Sequence, residues 1–315
     1  MSAVVPDRGP APAVEFTGVS KWFSSVVAVS DVTFSIGAGI TSLLGPNGAG
    51  KSTVMRLLCG LTAPSSGTVK VYGRDPRADQ AVFRSIGLVP QQESIIEPVT
   101  CLRFVTLAAQ LSDVASPERA ATDAVNLVEL DPADDRPLSM YSKGMRQRVK
   151  VASAIVHQPR LLILDEPLNG LDPRQRARMI ELFHSLGTDG RSVIVTSHVL
   201  EEVERFGSRI LLIAEGRLAA EGEFTEIRAL MDDRPLRIRV RCSDPRALAA
   251  GLVRSASVAS LAIESDGVVI DTVDAPSFRR EVARACAGLK IGLHEILPLD
   301  DDLESVFRYL VSRRY

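Results

Sequence analysis

Gly45-Pro46-Asn47-Gly48-Ala49-Gly50-Lys51-Ser52 gathers glycines, a lysine and a hydroxyl into one short stretch, with Thr53 following. Glycine lets consecutive backbone N–H groups turn inward around a phosphate, and a helix N-terminus behind them adds partial positive charge. A lysine at the end of such a loop reaches the β and γ oxygens of a nucleoside triphosphate, and the hydroxyl after it can ligate Mg²⁺. The stretch fits G-x-x-x-x-G-K-[ST]. It follows the apolar run Ile40–Leu44 and opens a helical stretch, Ser52–Cys59. Strand, loop, helix is the context in which this pattern carries meaning; without it the motif is a glycine-rich turn.

A second group closes the apolar run Leu161-Leu162-Ile163-Leu164 with Asp165 and Glu166. Four apolar residues in succession suit a central parallel strand covered on both faces. Ligands of such sheets bind at the carboxyl ends of the strands, where these two carboxylates stand. Asp165 can hold Mg²⁺ through water, and Glu166 can orient and polarise an attacking water. Alone, Asp-Glu after a strand reads as an acidic turn in solvent. With a phosphate loop in the same chain it reads as the other half of a triphosphate-hydrolysing site.

The elements that must hold these groups alternate. Strand-like runs fall at Ala13–Phe16, Val27–Ile36, Ile40–Leu44, Thr68–Tyr72, Ile86–Val89, Leu161–Leu164, Ser192–Thr196 and Arg209–Ile213, with helical stretches between them. This predicts an α/β layer structure over residues 13–230. From Thr100 to about Leu138 the pattern is helical, so a helical subdomain is expected over about 99–158. Residues 1–12 are proline-rich and polar and are expected to be a disordered leader. Beyond the charged break Met231–Pro235 the reading is strand (Leu236–Cys242), helix (Pro245–Ser255), strand (Val258–Glu264), strand (Val268–Thr272), helix (Ser277–Gly288), strand (Lys290–Leu297) and helix (Leu303–Ser312). That order, βαββαβ and a last helix, predicts a small α+β, ferredoxin-like unit over 231–315.

Composition narrows the classes. Over 315 residues, 45 % are hydrophobic and 24 % charged, which excludes a disordered chain. The formal charge of −2 gives no electrostatic case for nucleic acid as a partner. Cys59, Cys101, Cys242 and Cys286 are scattered without a CxxC pair, and read as small buried hydrophobes in a reducing compartment. The beginning of the chain has no apolar signal segment, and no run of apolar residues is long enough to span a membrane.

Tyr141-Ser142-Lys143-Gly144-Met145-Arg146-Gln147 lies just upstream of the carboxylate pair. Read on its own, Ser142 is a helix N-cap. Together with the two groups above, however, the chain resembles the nucleotide-binding subunit of an ABC transporter over roughly residues 13–230. The YSKGM form is similar to that of ATPases paired with ABC-2-type permeases. The resemblance implies a P-loop ABC ATPase core of α/β class with a helical subdomain, and ATP with Mg²⁺ as its ligands. It also implies that Ser142 and the Gly144 backbone face the γ-phosphate of an ATP held by the other protomer, in a homodimer or a heterodimer with a related ATPase.

Other positions match the family one by one. Gln91, in Leu88-Val89-Pro90-Gln91-Gln92, resembles the glutamine that contacts Mg²⁺ and the lytic water, with Gln92 as the alternative one residue on. Asn169-Gly170-Leu171-Asp172 is similar to the loop that crosses the dimer interface. Thr196-Ser197-His198 resembles the switch whose histidine contacts the γ-phosphate. Phe23, in Lys21-Trp22-Phe23, stands where relatives stack an aromatic on adenine, and Trp22 competes for that place. Leu168 replaces the usual Thr or Ser after the proline, and Arg103 stands where relatives often carry Glu, in a segment (Thr100–Val105) that faces the permease. The ending Asp301-Asp302-Leu303-Glu304-Ser305-Val306-Phe307 is similar to that of many ABC-2-type ATPases. The expected protein is a peripheral subunit on the cytoplasmic face of the membrane that energises a separately encoded ABC-2-type exporter. A soluble ABC-type ATPase not coupled to transport is the alternative.

Overall fold

β-branched and leucine-rich runs bounded by glycine and proline become the strands of two sheets in the first part of the chain. The computed structural model describes residues 12–299 apart from 93, 94, 97, 198, 207, 208, 224, 225 and 227–234. The expected leader and the last helix, Leu303–Ser312, lie outside the described residues. The chain divides into two compact units, residues 1–224 and 225–315, so the division falls a few residues before the charged break.

In the first unit, β1 (Val14–Phe23), β2 (Val26–Ile36) and β4 (Ser66–Val71) form an antiparallel sheet in the order β2-β1-β4. A six-stranded sheet takes β3 (Gly39–Leu44), β5 (Ile86–Val89), β6 (Leu161–Asp165), β7 (Ser192–Ser197), β8 (Arg209–Ala214) and β9 (Arg217–Glu223) in the order β5-β6-β7-β3-β8-β9. Its pairs are parallel except the last. β9 is an addition to the strands expected from sequence: Arg217-Leu-Ala-Ala-Glu-Gly-Glu carries no β-branched residue. It pairs because Glu215 (φ 48°) and Gly216 (φ 75°) make a tight turn with both central residues at positive φ, which folds the chain back on β8.

Register decides what the sheet positions. Val89 pairs with Leu164, Asp165 with Thr196, and Ser197 with Leu44. The carboxyl ends of β5, β6, β7 and β3 are therefore level, and the loops leaving them start side by side. That is where ligands of open parallel sheets bind. The core beneath is apolar, with Leu161–Leu164 at most 1 % exposed, and between the two sheets Phe16 stacks on Phe34 with ring centres 4.5 Å apart.

Helix α1 (Lys51–Leu58) follows β3. Three helices, α2 (Cys101–Leu111), α3 (Pro117–Leu127) and α4 (Lys143–Ile155), pack on one another as the helical layer. α5 (Pro173–Thr188) and the short α6 (Leu200–Phe206) complete the unit. Just past α4, His157 sets its Nε2 3.1 Å from the Ile86 carbonyl, while its buried Nδ1 has no hydrogen-bond partner among the described residues. Burial pushes its pKa below the ordinary imidazole value. A lowered folded-state pKa means that the unfolded chain takes up the proton first as pH falls, so stability drops once pH passes below about 6.5. Between pH 7.5 and 5.5 the thermal midpoint should fall more for the wild type than for His157→Gln. Equal falls would remove His157 as the cause.

The second unit runs β10 (Leu236–Cys242), α7 (Pro245–Leu252), β11 (Val258–Ile263), β12 (Gly267–Thr272), α8 (Ala275–Leu289) and β13 (Leu293–Pro298). Its antiparallel sheet has the order β11-β12-β10-β13, and the βαββαβ succession is the expected one. Ile238, Val240, Leu248, Ile270, Phe278 and Val282 fill its core. Both helices start at Asp N-caps: Asp244 accepts from the Ala247 N–H at 3.0 Å and Asp274 from the Ser277 N–H at 2.9 Å. β13 starts three residues later than Lys290, because Lys290 (φ 55°) closes α8 in the left-handed conformation.

Candidate nucleotide-binding site

A cavity of about 300 Å³ opens at the level strand ends. Asn47, Gly48, Gly50, Lys51, Ser52 and Thr53 line one side, and Gln91, Asp165 and Glu166 the other. The loop needs its glycines for different reasons. Gly48 (φ 83°) and Gly50 (φ 107°) take left-handed backbone conformations, and a Cβ on Gly50 would also lie 2.5 Å from the Ala28 carbonyl oxygen. Gly45, Pro46 and Ala49 do not line the cavity; they turn the chain. The Ala49 N–H donates to the Pro46 carbonyl at 3.2 Å, and the Ala49 carbonyl accepts from Gly216 at 3.0 Å.

Lys51 is only 8 % exposed. Its ammonium donates to the Gly45 carbonyl and, at 3.0 Å, to the Pro46 carbonyl. Burial lowers its pKa, while the negative charges of Glu166 and Asp165 oppose that shift. A cation held by its own loop's carbonyls and faced by two acids fits a polyphosphate, whose oxygens would replace those carbonyls as partners.

The carboxylates are fixed by one hydroxyl. Thr196 Oγ1 donates to Asp165 Oδ1 at 2.6 Å and accepts from the Glu166 N–H at 2.9 Å. Glu166 is 6 % exposed and takes φ 52°, a conformation that costs a non-glycine residue on the order of 1 kcal/mol or more. Asn169 Nδ2 stands 3.4 Å from its Oε2. Gln147 of α4 donates to the Pro167 carbonyl at 3.0 Å, tying the turn after Glu166 to the helical layer. Leu168, the departure beside this turn, is buried in the core, and Arg103, the other, is exposed on α2.

Not every expected residue reaches the cavity. Gln91 does, together with Ser52 and Asp165, whereas Gln92 lines only the adjoining groove. Phe23 and Trp22 are about half exposed and stand outside the walls, with Lys21 Nζ 4.7 Å from the Phe23 ring centre. The wall on that side is Val26, Val27 and Ala28, which the sequence reading did not single out. Ser142 and Gly144 do not line the cavity either. Ser142 caps α4, accepting from the Met145 N–H at 3.2 Å. Gly144 is buried where a Cβ would come within 3.0 Å of the Gly170 carbonyl oxygen, so here its smallness serves the approach of α4 to the Asn169–Asp172 turn. His198 lies outside the described residues. Beside it, Ser197 Oγ donates to Glu202 Oε2 at 2.7 Å and Glu202 pairs with Arg176 at 3.2 Å. Among the described residues no cluster of three or more His, Cys, Asp or Glu could hold a metal. Ser52, Asp165 and Gln91 supply a hydroxyl, a carboxylate and an amide, a hard oxygen set suited to Mg²⁺ shared with a phosphate. Burial raises the Cys59 and Cys101 thiols to about 12, and no cysteine lines the cavity.

Residues 29–169 match the family model described as ABC transporter. The chain is 35 % identical to the daunorubicin/doxorubicin resistance ATP-binding protein DrrA of Streptomyces peucetius over 89 % of its length and 86 % of that protein's. It is 32 % identical to the Nod factor export ATP-binding protein I of Rhizobium leguminosarum bv. viciae, over 96 % and 95 %. Among solved structures it is similar to the ATP-binding subunit of an ABC transporter (TM-score 0.65, 27 % identity, 70 % of this chain and 93 % of that one). It is also similar to a dimeric post-hydrolysis state of the ATP-binding cassette MJ0796 bound to ADP and Pi (TM-score 0.62, 26 % identity, 67 % and 98 %). With the phosphate loop, the carboxylate pair and the level strand ends all in one cavity, the chain belongs to the ATP-binding, ATP-hydrolysing subunits of ABC transporters.

Proposed function

We propose that this chain is the ATPase of an exporter, acting as a dimer on the cytoplasmic face of a membrane through a separately encoded ABC-2-type permease. The observation that carries the catalytic part is the register that sets Lys51, Ser52, Gln91, Asp165 and Glu166 around one cavity. The backbone of the Asn47–Gly50 turn and the Lys51 ammonium hold the β and γ phosphates. Ser52, Asp165 and Gln91 would hold Mg²⁺, which when bound would offset the charge of the phosphates. Glu166 orients the attacking water and accepts its proton, and its strained, hydrogen-bonded backbone keeps that carboxylate aimed. His198, as the resemblance implies, contacts the γ-phosphate, and Phe23 or Trp22 stacks on adenine.

What supports a composite site is that Ser142 is exposed at the start of α4 and, like the buried Gly144 after it, stands outside its own chain's cavity. Paired head to tail, two chains would each offer that start to the other's γ-phosphate. The relatives named for drug resistance and Nod factor export support a drug, antibiotic, lipid or polymer as cargo, and no helix among the described residues is long and apolar enough to cross a membrane. Expressed alone, the chain should stay in the supernatant. Expressed with its permease, it should sediment with membranes and resist a salt wash. A chain that stays in the supernatant beside every candidate permease would favour the uncoupled ATPase.

A further inference from the structure

One buried lysine has no place in the chemistry above. Lys150 lies in the middle of α4, is 5 % exposed, and does not line the nucleotide cavity. Its Nζ donates to the Pro90 carbonyl at 2.9 Å, across sixty residues of chain. A lysine is rarely buried unless its charge is met, because desolvating the ammonium is costly. An aliphatic side chain would pack against β5 without that cost.

The contact is one of three along a single stripe. Residues 150, 154 and 157 recur at helical spacing and face β5 in reverse order. Lys150 meets Pro90, the Ala154 carbonyl sits so close to Gly87 that no Cβ could be added there, and His157 meets the Ile86 carbonyl. The two lower contacts fix the strand itself. The Lys150 contact lies beyond the strand, at its exit. Proline has no N–H, so the carbonyl is the only backbone hydrogen-bonding group Pro90 has. Its anchor is therefore what sets the path of the next residue, Gln91, into the cavity beside Ser52 and Asp165.

We propose that Lys150 is a positioning residue for Gln91: by holding the Pro90 carbonyl it sets where the chain leaves β5, and so where the Gln91 amide stands relative to Ser52 and Asp165. This rests on the reading of Gln91 as a Mg²⁺-side group. Because α4 begins at Ser142, one helix then carries the γ-phosphate contact offered to the partner and the anchor of the metal-side glutamine in its own chain.

The test uses the full-length chain and three substitutions. Lys150→Met keeps length and removes the donor, Lys150→Arg keeps a donor, and Gln91→Ala removes the group being positioned. ATP affinity is measured by calorimetry with Mg²⁺ and with EDTA, beside kcat and KM. Lys150→Met should weaken the gain in affinity that Mg²⁺ brings, and lower kcat, each by about tenfold, the scale of losses when a supporting partner of a metal ligand is removed. Affinity in EDTA should be unchanged, and Lys150→Arg should recover most of the loss. In a Gln91→Ala background Lys150→Met should do nothing more. An equal loss in that background, or an equal loss in EDTA, would overturn the role of Lys150 while leaving Gln91 in place. If Gln91→Ala alone leaves the Mg²⁺ gain untouched, the reading of Gln91 falls and the proposal with it. Should Lys150→Met fail to fold, Lys150→Leu, which likewise removes the donor, gives the same comparisons.

Discussion

Glu166→Gln will leave ATP bound and slow its hydrolysis by about a hundredfold or more, within the 10² to 10⁴ that a positioned general base contributes. The amide matches the carboxylate in shape, and the position is held mainly by backbone: the Glu166 N–H donates to Thr196 Oγ1 and its carbonyl accepts from Asn169. The substitution therefore removes a charge and a proton acceptor with little change in geometry. Binding should survive, because Lys51 and the loop N–H groups are untouched. Loss of the Glu166 charge also removes the larger of the two opposing influences on the Lys51 ammonium, so the Lys51 pKa should fall further. Phosphate release at saturating ATP, measured beside nucleotide affinity, decides the matter. Hydrolysis near the wild-type rate would take Glu166 out of its role, and a parallel loss of affinity would make it a structural group.

What could be read from sequence was whatever local spacing sets. The phosphate loop and the Asp165–Glu166 pair are each contiguous, and each carries its flanking strand with it, so both chemistry and placement were legible. Seven of the eight expected strands of the first unit agree with the structure to within about two residues, since alternating or continuous apolar runs leave little freedom. The misses have one cause: they depend on partners distant in the chain. β9 has no β-branched residues and forms only because the Glu215-Gly216 turn delivers it to an existing edge. Val26–Ala28 become a cavity wall through the Ala28 carbonyl's approach to Gly50, which no local pattern records. The room that Gly144's missing side chain makes for the Gly170 carbonyl is likewise set by a loop distant in the sequence. Lys150 resembled any polar residue of an amphipathic helix until the fold set Pro90 beside it.

Two heterodimers that carry the same pair of substitutions, distributed differently, should differ in how readily ATP closes them. If Lys51 of one protomer and Ser142 of the other embrace the same ATP, a dimer of Lys51→Ala with Ser142→Arg has one site with both groups intact and one with both lost. A dimer of wild type with the double variant has one defect in each site. A composite arrangement predicts that the first outperforms the second in ATP-induced closure, and a site built within one chain predicts the reverse. The structure supplies the reason to expect the first order: Lys51 lines the cavity and Ser142 does not, so whatever Ser142 does for a phosphate it must do for another chain's. The physical basis is preorganisation, because a phosphate surrounded by half its donors loses most of the charge stabilisation that a complete site gives. Closure is a better readout than turnover, which can require both sites together. Equal closure in the two heterodimers would leave Ser142 as the N-cap of α4, bonded to Met145 and nothing more, and would remove the composite site from the proposed function.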